Sequence, residues 1–484
     1  MLQPGFEGTT APDWLRRRLA DGLGGVALFA RNIEHPDQVR DLVAALKAEN
    51  PRVIVAIDEE GGDVTRLEAA TGSSRPGNLA LGVVDDLDLT EAVARGIGHD
   101  LAAVGVTLDY APDADVNSNP DNPVIGVRSF GADPHLVARH TAAWVRGLQS
   151  AGVAACAKHF PGHGDTSVDS HQDLPTVSGS AGHIAATALP PFRAAIDAGV
   201  RAIMTGHLLV PAYDPESPAT MSPRVLIETL RQELGFTGLI VTDGIEMRAV
   251  AARYGLAGAA VRALAAGADA ICVGGGHAGE ATVELLRTAI VEAVRAGDLA
   301  ADRLADAAGR VSELAGWTVA ATARTGDREA DEPAGLLAAR RALRITGTGL
   351  PLTGAPHVVE LAPALHEAID RGTPWGLAEP LGRLRPDRTV ARLYAGDLED
   401  PGRLTRDALT PANGRPLVVV VRDAHRHAWM TSALDHLLTH RPDAVVVELG
   451  VPGPNGAVHG AAYIATHGGA RVCAEAAAEA LVTG

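Results

Sequence analysis

Short apolar runs alternate along the chain with longer amphipathic stretches. Continuous apolar runs bounded by turn residues are typical of strands that are buried on both faces, as in a parallel sheet. The first eight runs are 2–6, 25–29, 53–57, 106–110, 153–160, 202–205, 239–242 and 270–273.

The stretches between these runs carry apolar residues three and four apart, which predicts amphipathic helices. Eight strand–helix units over about 275 residues match the usual size of a (β/α)8 barrel. We therefore predict an α/β protein whose first domain is a (β/α)8 TIM-like barrel. An open, doubly wound sheet is the alternative, because periodicity alone does not distinguish the two. The clearest helical stretches are 36–47, 89–103, 134–150, 190–198, 222–233 and 256–266.

A second α/β pattern follows the barrel. Residues 278–317 predict one or two long helices, and the polar segment TARTGDREADEPAG predicts a linker. We therefore predict a catalytic barrel at 1–321, a linker at 322–335 and a smaller α/β sandwich domain at 336–484. The apolar runs of this second domain are 357–361, 389–394, 417–422, 444–449 and 462–465.

Composition and charge narrow the classes of partner. Among 484 residues, 42 lysines and arginines face 59 aspartates and glutamates, so the formal net charge is −17. This balance argues against nucleic acid or an anionic membrane surface as the main partner. Three cysteines give neither a disulfide framework nor zinc-ligand spacing. No secretory signal and no membrane-spanning stretch is evident, so we expect a cytoplasmic protein.

Ionisable side chains follow the ends of five consecutive predicted strands. In a (β/α)8 barrel, functional residues gather where strands end and the following loops begin. A purely structural protein has no need of such a series. The segments are IDEEGGDVTR (57–66), DYAPDADVN (109–117), AKHFPGHGDTSVDSH (157–171), MTGH (204–207) and VTDGIEM (241–247).

Asp243 directly follows the predicted strand GLIVT, so its carboxylate is expected to point into the mouth of the barrel. Cleavage of a glycosidic bond needs a carboxylate on one face of the sugar and a proton donor on the other. Aspartate is also favoured as a helix N-cap, and a helix is predicted nearby. Nucleophile and helix cap therefore stay open as alternatives at this point.

The loop after the fifth predicted strand combines histidines with turn residues. His159 and His163 are four residues apart, but Pro161 and Gly162 interrupt the helical face that a zinc-binding histidine pair uses. We therefore predict no bound metal and no cofactor.

Asp169 and His171 stand two residues apart in the same loop. In the functional interpretation, Asp169 orients the imidazole of His171 and favours its protonated form. Imidazole titrates near neutrality, which suits a group that donates a proton and then accepts one. The alternative interpretation is a solvated loop.

Further charged and polar side chains at the predicted strand ends have two interpretations. A lysine is rarely buried without a partner, so Lys158 predicts either a structural ion pair or a hydrogen bond to a sugar hydroxyl. The convergence of such residues on one barrel face favours sugar binding. The candidates are Asp58, Arg66, Arg128, Lys158, His159 and His207.

At these residues the sequence resembles glycoside hydrolase family 3, and within it the bacterial β-N-acetylglucosaminidase branch. The resemblance covers roughly residues 1–320, and KHFPGHG with a following DSH is its specific part. The motifs, in the family's order, are GGVALFARNI (24–33), IDEEGG (57–62), NPVIGVRSFG (122–131), KHFPGHGDT (158–166), DSH (169–171) with LP (174–175), and TDGIEM (242–247).

The resemblance implies a retaining exo-β-N-acetylhexosaminidase that acts on fragments from peptidoglycan turnover or chitin. It implies that Asp243 is the nucleophile, His171 the acid/base on a mobile loop, and Asp169 the partner of His171. It also implies that the terminal sugar is bound by Asp58, Arg66, Arg128, Lys158 and His159, with His207 as a further pocket residue.

Two departures from the family pattern bear on substrate preference. Asp63 stands where the family usually has arginine, and Gly244 stands where many members carry aspartate or alanine. Because the DSH loop is expected to supply the acid/base, the second domain has no assigned chemistry. We expect it to serve packing or a partner.

Other functions on the same site stay open. One is a phosphorylase, because a histidine acid/base repels incoming phosphate less than a carboxylate does. Another is a β-glucosidase. A catalytically silent sugar-binding protein is a third, but it requires the loss of Asp243 or His171, and both are present. We expect a small carbohydrate as partner, and the sequence leaves the oligomeric state open.

Overall fold

The structure, a computed structural model, describes residues 1–170, 173–276, 279–325, 333–364, 368–370, 372–453 and 460–484. The chain divides into two compact units. The first unit comprises Met1–Glu60, Asp86–Ile125 and Ser129–Asp331, and the second comprises Gly61–Asp85, Gly126–Arg128 and Glu332–Gly484.

Eight parallel strands follow one another in chain order in the described part of the first unit. Strands two to seven form one sheet, and the first strand pairs with the eighth. A bridge between Val241 and Ala270 links the seventh strand to the eighth, so the sheet curls into a barrel. The strands are β1 (Leu2–Pro4), β2 (Gly25–Ala27), β3 (Ile54–Ile57), β4 (Leu108–Asp109), β5 (Ala154–Phe160), β6 (Ala202–Thr205), β7 (Leu239–Thr242) and β8 (Ile271–Val273).

Helices connect the strands in both units. A further helical segment with wider turns spans Arg224–Glu233. The α-helices of the described residues are α1 (Asp13–Ala20), α2 (Pro36–Glu49), α3 (Asn78–Val84), α4 (Leu87–Ala103), α5 (Pro134–Ser150), α6 (Ala181–Thr187), α7 (Pro190–Asp197), α8 (Arg248–Ala266), α9 (Glu280–Ala296), α10 (Ala301–Thr325), α11 (Pro333–Ala342), α12 (Ala378–Leu384), α13 (Ala428–His440) and α14 (Arg471–Thr483).

Helix α5 illustrates why these segments are helical. Asp133 accepts a hydrogen bond from the backbone N–H of His135 at 3.0 Å, which caps the first turn. Pro134 opens the helix, where its missing N–H is not needed. Trp144 and Leu148, four residues apart, are buried on the face that meets the barrel unit's core.

Small side chains from alternate strand positions fill the barrel interior, among them Ala56, Ala154 and Ala202. Val311 and Leu314 of α10 belong to the same apolar cluster. Arg52, just before β3, donates to the carbonyl of Ser312, so α10 covers the end of the barrel where the strands begin. The end where the strands finish is left to the loops.

The second unit contains a six-stranded sheet with helices on both faces. Five strands are parallel, and the sixth, at one edge, is antiparallel. Val418 and Val420 face a cluster that includes α12 and α14, whereas Val419 and Val421 face one that includes α13. The strand order is β11 (Thr389–Leu393), β10 (His357–Leu361), β12 (Leu417–Val421), β13 (Val445–Glu448), β14 (Ala462–Ala465) and β9 (Arg344–Gly347).

The predicted fold class is confirmed: the protein is an α/β protein with a TIM-like barrel and a second α/β sheet domain. Across the part of the chain that the structure describes, no helix has the length and apolar character needed to cross a membrane.

Residues 61–85 pack with the second unit, although the sequence assigned them to the barrel. Arg422 lies 2.6 Å from Asp63, and the N–H of Gly469 donates to Asp63 at 2.8 Å. Arg471 donates to the carbonyl of Gly72 at 3.2 Å. Helix α10 continues to Thr325 and α11 begins at Pro333. The domain boundaries themselves stay a prediction.

Candidate active site

The ends of neighbouring barrel strands lie in register. Ile57 at the end of β3 pairs with Asp109 of β4, and Phe160 of β5 pairs with Thr205 of β6. Thr205 in turn pairs with Thr242 at the end of β7. The residues that follow these strands therefore share one end of the barrel.

Two buried thiols, those of Cys156 and Cys272, belong to the apolar cluster inside the barrel. Burial raises the pKa of Cys156 and Cys272 above the usual value. The carboxylates of Asp58 and Asp243 raise the pKa of both thiols further. Asp58 directly follows β3 and Asp243 directly follows β7, so both stand at the same end of the barrel, although 185 residues of sequence separate them.

Asp243 is held at the end of β7 by backbone hydrogen bonds. Its own N–H donates to the carbonyl of Thr205 at 3.0 Å, and the N–H of Gly244 donates to its Oδ1 at 2.8 Å. Helix α8 begins at Arg248 with Met247 as its N-cap, so Asp243 is not the N-cap of that helix. The carboxylate is partly exposed and is oriented by its own turn.

Lys158 lies between two carboxylates. Its ammonium group contacts Asp58 and lies 2.6 Å from Oε1 of Glu60. The side chains of Lys158 and Glu60 are each 3% exposed, whereas that of Asp58 is 22% exposed. Asp58 is therefore the member of the trio that reaches the solvent.

Asp109 lies next to this trio at the end of β4. Burial raises the pKa of Asp109 well above its usual value, and the charges of Glu59 and Asp58 act in the same direction. The N–H of Glu59 donates to Asp109 at 2.9 Å. The buried carboxyl group of Asp109 therefore holds its proton more tightly than an exposed aspartate does.

His159 is held by a buried carboxylate. Its Nδ1 lies 2.7 Å from Oδ2 of Asp115, and Asp115 is fully buried. Burial alone would raise the pKa of Asp115, but the charge of His159 and their hydrogen bond, together with His163, lower it below its usual value. Asp115 therefore stays ionised and fixes the orientation of the imidazole.

One group of side chains in the described residues has the spacing of a cation site. Asp113, Asp115 and His159 each place a ligand atom within 4.8 Å of the others, and all three are buried. A cation there would compete with the hydrogen bond between His159 and Asp115. The expected absence of a metal stays a prediction.

The loop after β5 is anchored by His163. Its Nδ1 lies 2.6 Å from the hydroxyl of Thr166, and its Nε2 lies 3.3 Å from the hydroxyl of Ser170. Burial lowers the pKa of His163 to about 4, so the ring is neutral at physiological pH. Asp169 is buried in the same loop. The predicted acid/base, His171, lies outside the described residues.

His207 is fully buried and hydrogen-bonded at both ring nitrogens. Nδ1 lies 2.9 Å from the hydroxyl of Thr220, and Nε2 lies 2.9 Å from the carbonyl oxygen of Gly244. The structure thus brings His207 to the turn that carries Asp243. Its predicted contact with the sugar stays untested.

Arg66 and Arg128 belong to the second unit, and both are buried. Arg66 donates to the carbonyl of Ala368 at 3.0 Å, and the carbonyl of Arg128 accepts from Asn78 at 2.6 Å. Sugar binding by either arginine stays a prediction.

Sequence reasoning did not single out Glu60, Asp109 or Asp115. All three lie in strand-end segments of the kind that predicts function, IDEEGG and DYAPDADVN. The pattern did not show which residues form pairs, because Lys158 meets Glu60 and His159 meets Asp115 only in the folded barrel.

A barrel with ionisable residues at the ends of its strands is typical of a TIM-barrel enzyme. Comparison with known proteins identifies the family. Residues 10–314 match the family described as "Glycosyl hydrolase family 3 N terminal domain". The protein is a glycoside hydrolase. The chain belongs to glycosyl hydrolase family 3, as the sequence motifs predicted.

Several known proteins are similar to this chain. It is 38% identical over 285 residues to a beta-hexosaminidase A from Pseudoalteromonas piscicida, covering 54% of this chain and 47% of that protein. The chain thus spans about half the length of that relative. It is 39% identical over 284 residues to a beta-hexosaminidase from Stenotrophomonas maltophilia, covering 56% of this chain and 83% of that protein.

Among solved structures, a glycoside hydrolase family 3 beta-N-acetylglucosaminidase from Paenibacillus sp. str. FPU-7 is similar over both domains. The TM-score is 0.89 at 32% identity, and the alignment covers 99% of this chain and 95% of that one.

Proposed function

We propose that this chain is a retaining exo-β-N-acetylhexosaminidase that removes a terminal β-linked N-acetylglucosamine. The position of Asp243 supports this proposal most directly, because it follows β7 at the end of the barrel where Asp58 follows β3, and its carboxylate accepts a hydrogen bond from the N–H of Gly244. The name of the similar beta-N-acetylglucosaminidase from Paenibacillus supports the choice of sugar, and the names of the similar beta-hexosaminidases support the wider class. Fragments of peptidoglycan or chitin are the proposed substrates.

The proposed reaction has two steps. First, the carboxylate of Asp243 attacks the anomeric carbon while His171 donates a proton to the glycosidic oxygen, which leaves with the aglycone. Then His171 accepts a proton from water, water attacks the same carbon, and the carboxylate is released with net retention. Asp169 is the proposed partner that orients His171.

The proposed sugar contacts differ in how directly they reach the substrate. Asp58 is the exposed end of the Lys158 trio, so it is the proposed hydrogen-bond partner of a sugar hydroxyl. Lys158 would act mainly by holding Asp58. His159 would present its ring, oriented by Asp115. Arg66 and Arg128 stay proposed sugar-binding residues, and the cytoplasmic location stays a prediction.

The test is turnover of 4-nitrophenyl N-acetyl-β-glucosaminide by the unaltered enzyme and by Asp243→Asn. We expect the variant to lose at least about 1,000-fold in kcat, since the covalent route needs the carboxylate. Asp197→Asn is the matched control, because Asp197 is an exposed last residue of α7. Activity of Asp243→Asn equal to that of the control would refute the nucleophile.

The products separate the alternatives. Analysis by NMR in phosphate buffer should show free β-N-acetylglucosamine as the first product. Formation of a sugar 1-phosphate would instead identify a phosphorylase. Faster turnover of the aryl β-glucoside than of the N-acetyl substrate would identify a β-glucosidase.

A further inference from the structure

We infer that His207 is a positioning residue for the nucleophile of the proposed reaction, and that it acts without touching the sugar. The inference rests on the proposed function, because it takes Asp243 as the nucleophile. His207 and Thr220 are both fully buried, at 0% exposure. A residue enclosed in this way acts through its protein neighbours.

The two hydrogen bonds of His207 differ in their roles, because Nε2 donates and Nδ1 accepts. The carbonyl oxygen of Gly244 can only accept, so Nε2 of His207 carries the proton in that 2.9 Å contact. In the neutral ring, Nδ1 then accepts from the hydroxyl of Thr220 at 2.9 Å. Thr220 itself lies 3.1 Å from the hydroxyl of Thr205, the residue that pairs with the end of β7.

The acceptor of this chain is the residue that orients the nucleophile. The N–H of Gly244 donates to Oδ1 of Asp243, and the carbonyl of Gly244 receives His207 and the N–H of Met247. Glycine has the widest backbone freedom of any residue. A Cβ at this position would lie 3.0 Å from Oε1 of Glu246, the end of a long side chain, so a small shift of that side chain would accommodate it. The backbone of Gly244 does not by itself fix the conformation of this turn, so the hydrogen bond from His207 restrains it.

The contacts also predict that His207 can be removed without unfolding the protein. In His207→Leu, the carbonyl of Gly244 keeps the N–H of Met247 at 3.0 Å. The hydroxyl of Thr220 can turn its single proton from His207 to the carbonyl of Gly206, which lies 3.0 Å away. Neither the carbonyl of Gly244 nor the hydroxyl of Thr220 is left without a partner, so the loss should fall on the geometry of the turn.

The experiment compares His207→Leu with His207→Gln, whose amide nitrogen can still donate to Gly244. Using the 4-nitrophenyl substrate, we expect His207→Leu to lower kcat by about 10- to 100-fold, because a misplacement of about 1 Å can cost 100-fold in rate. KM should stay within about 3-fold, since no sugar contact is lost. His207→Gln should recover most of kcat. Thermal unfolding establishes that the variants are folded.

Two results would overturn the inference. One is a folded His207→Leu with unchanged kcat; the other is a raised KM at constant kcat, which would indicate a sugar contact. If His207→Leu does not fold, the comparison of Thr220→Val with Thr220→Ser replaces it. The valine variant should be slower, and equal rates would refute the chain of hydrogen bonds from Thr220 through His207 to Gly244. Failure of the proposed function would give a different result: either Asp243→Asn would stay active, or the unaltered enzyme would not turn over the substrate.

Discussion

Nζ of Lys158 lies 2.6 Å from Oε1 of Glu60, and both side chains are almost completely buried. The same ammonium group contacts Asp58, which is more exposed. A buried cation thus holds one carboxylate in the interior and a second one at the barrel mouth. This arrangement explains why a lysine stands at the end of β5.

Removal of the ammonium group of Lys158 should destabilise the protein more than removal of the charge of one of its carboxylate partners. We expect Lys158→Met to lower the free energy of unfolding by about 3–5 kcal/mol, because the carboxylates of Asp58 and Glu60 lose the cation that they share. Glu60→Gln keeps the Lys158–Asp58 pair, so we expect about 1–2 kcal/mol. Urea unfolding of both variants measures the difference. Equal losses would contradict the central role of the lysine.

The acid role of His171 predicts a dependence on the leaving group. We expect His171→Ala to slow alkyl N-acetyl-β-glucosaminides about 100-fold or more, because a poor leaving group needs the proton. Aryl substrates with activated leaving groups should lose much less in the first step. His135→Ala, at an exposed position in the first turn of α5, is the control. The assignment fails if both substrate types slow equally.

The burial of His163 predicts a loss of stability in acid. Its pKa is lowered to about 4 in the folded state, whereas an exposed histidine in the unfolded chain protonates near 6.5. The unfolded state therefore binds the proton first. The stability that this group contributes is complete above about pH 6.5 and is lost as the pH falls to about 4.

If His163 is the source of this acid sensitivity, the free energy of unfolding should fall by about 3 kcal/mol between about pH 6.5 and pH 4. Substitution His163→Gln should flatten the pH dependence, because an amide can keep hydrogen bonds to Thr166 and Ser170 without titrating. Urea unfolding at pH 7 and pH 4.5 measures the change, with the exposed His183→Gln as control. An unaltered slope in His163→Gln would assign the acid sensitivity to other groups.

The ion pair between Asp63 and Arg422 predicts strong coupling within the second unit. Both side chains are buried, at 3% and 5% exposure. We expect Arg422→Met alone to destabilise by about 3–5 kcal/mol, since it strands the Asp63 carboxylate. In the double variant Asp63→Asn/Arg422→Met, no unpaired charge remains and part of the stability should return. Additive losses in the double-mutant cycle would rule out the coupling.

Local pattern was sufficient for much of the secondary structure. The predicted bounds of β6, β7, β10, β14 and α5 coincide with those of the structure. These segments have a continuous buried run or a clear helical period, so their sequence and their environment agree. Strand β9 was missed because it is short and exposed at all four positions. As an antiparallel edge strand it has no apolar run to mark it.

By itself, the sequence determined where most strands and helices lie along the chain, the two α/β patterns and the series of ionisable residues at strand ends, because these follow from local periodicity and from the barrel geometry it predicts. Only the tertiary structure decided the partners: Glu60 for Lys158, Asp115 for His159, and Thr220 and Gly244 for His207. It also joined Asp63 to Arg422, which stands 359 residues further along the chain. The physical reason is that periodicity records whether a side chain is buried, whereas the partner of a buried charge depends on contacts between distant segments.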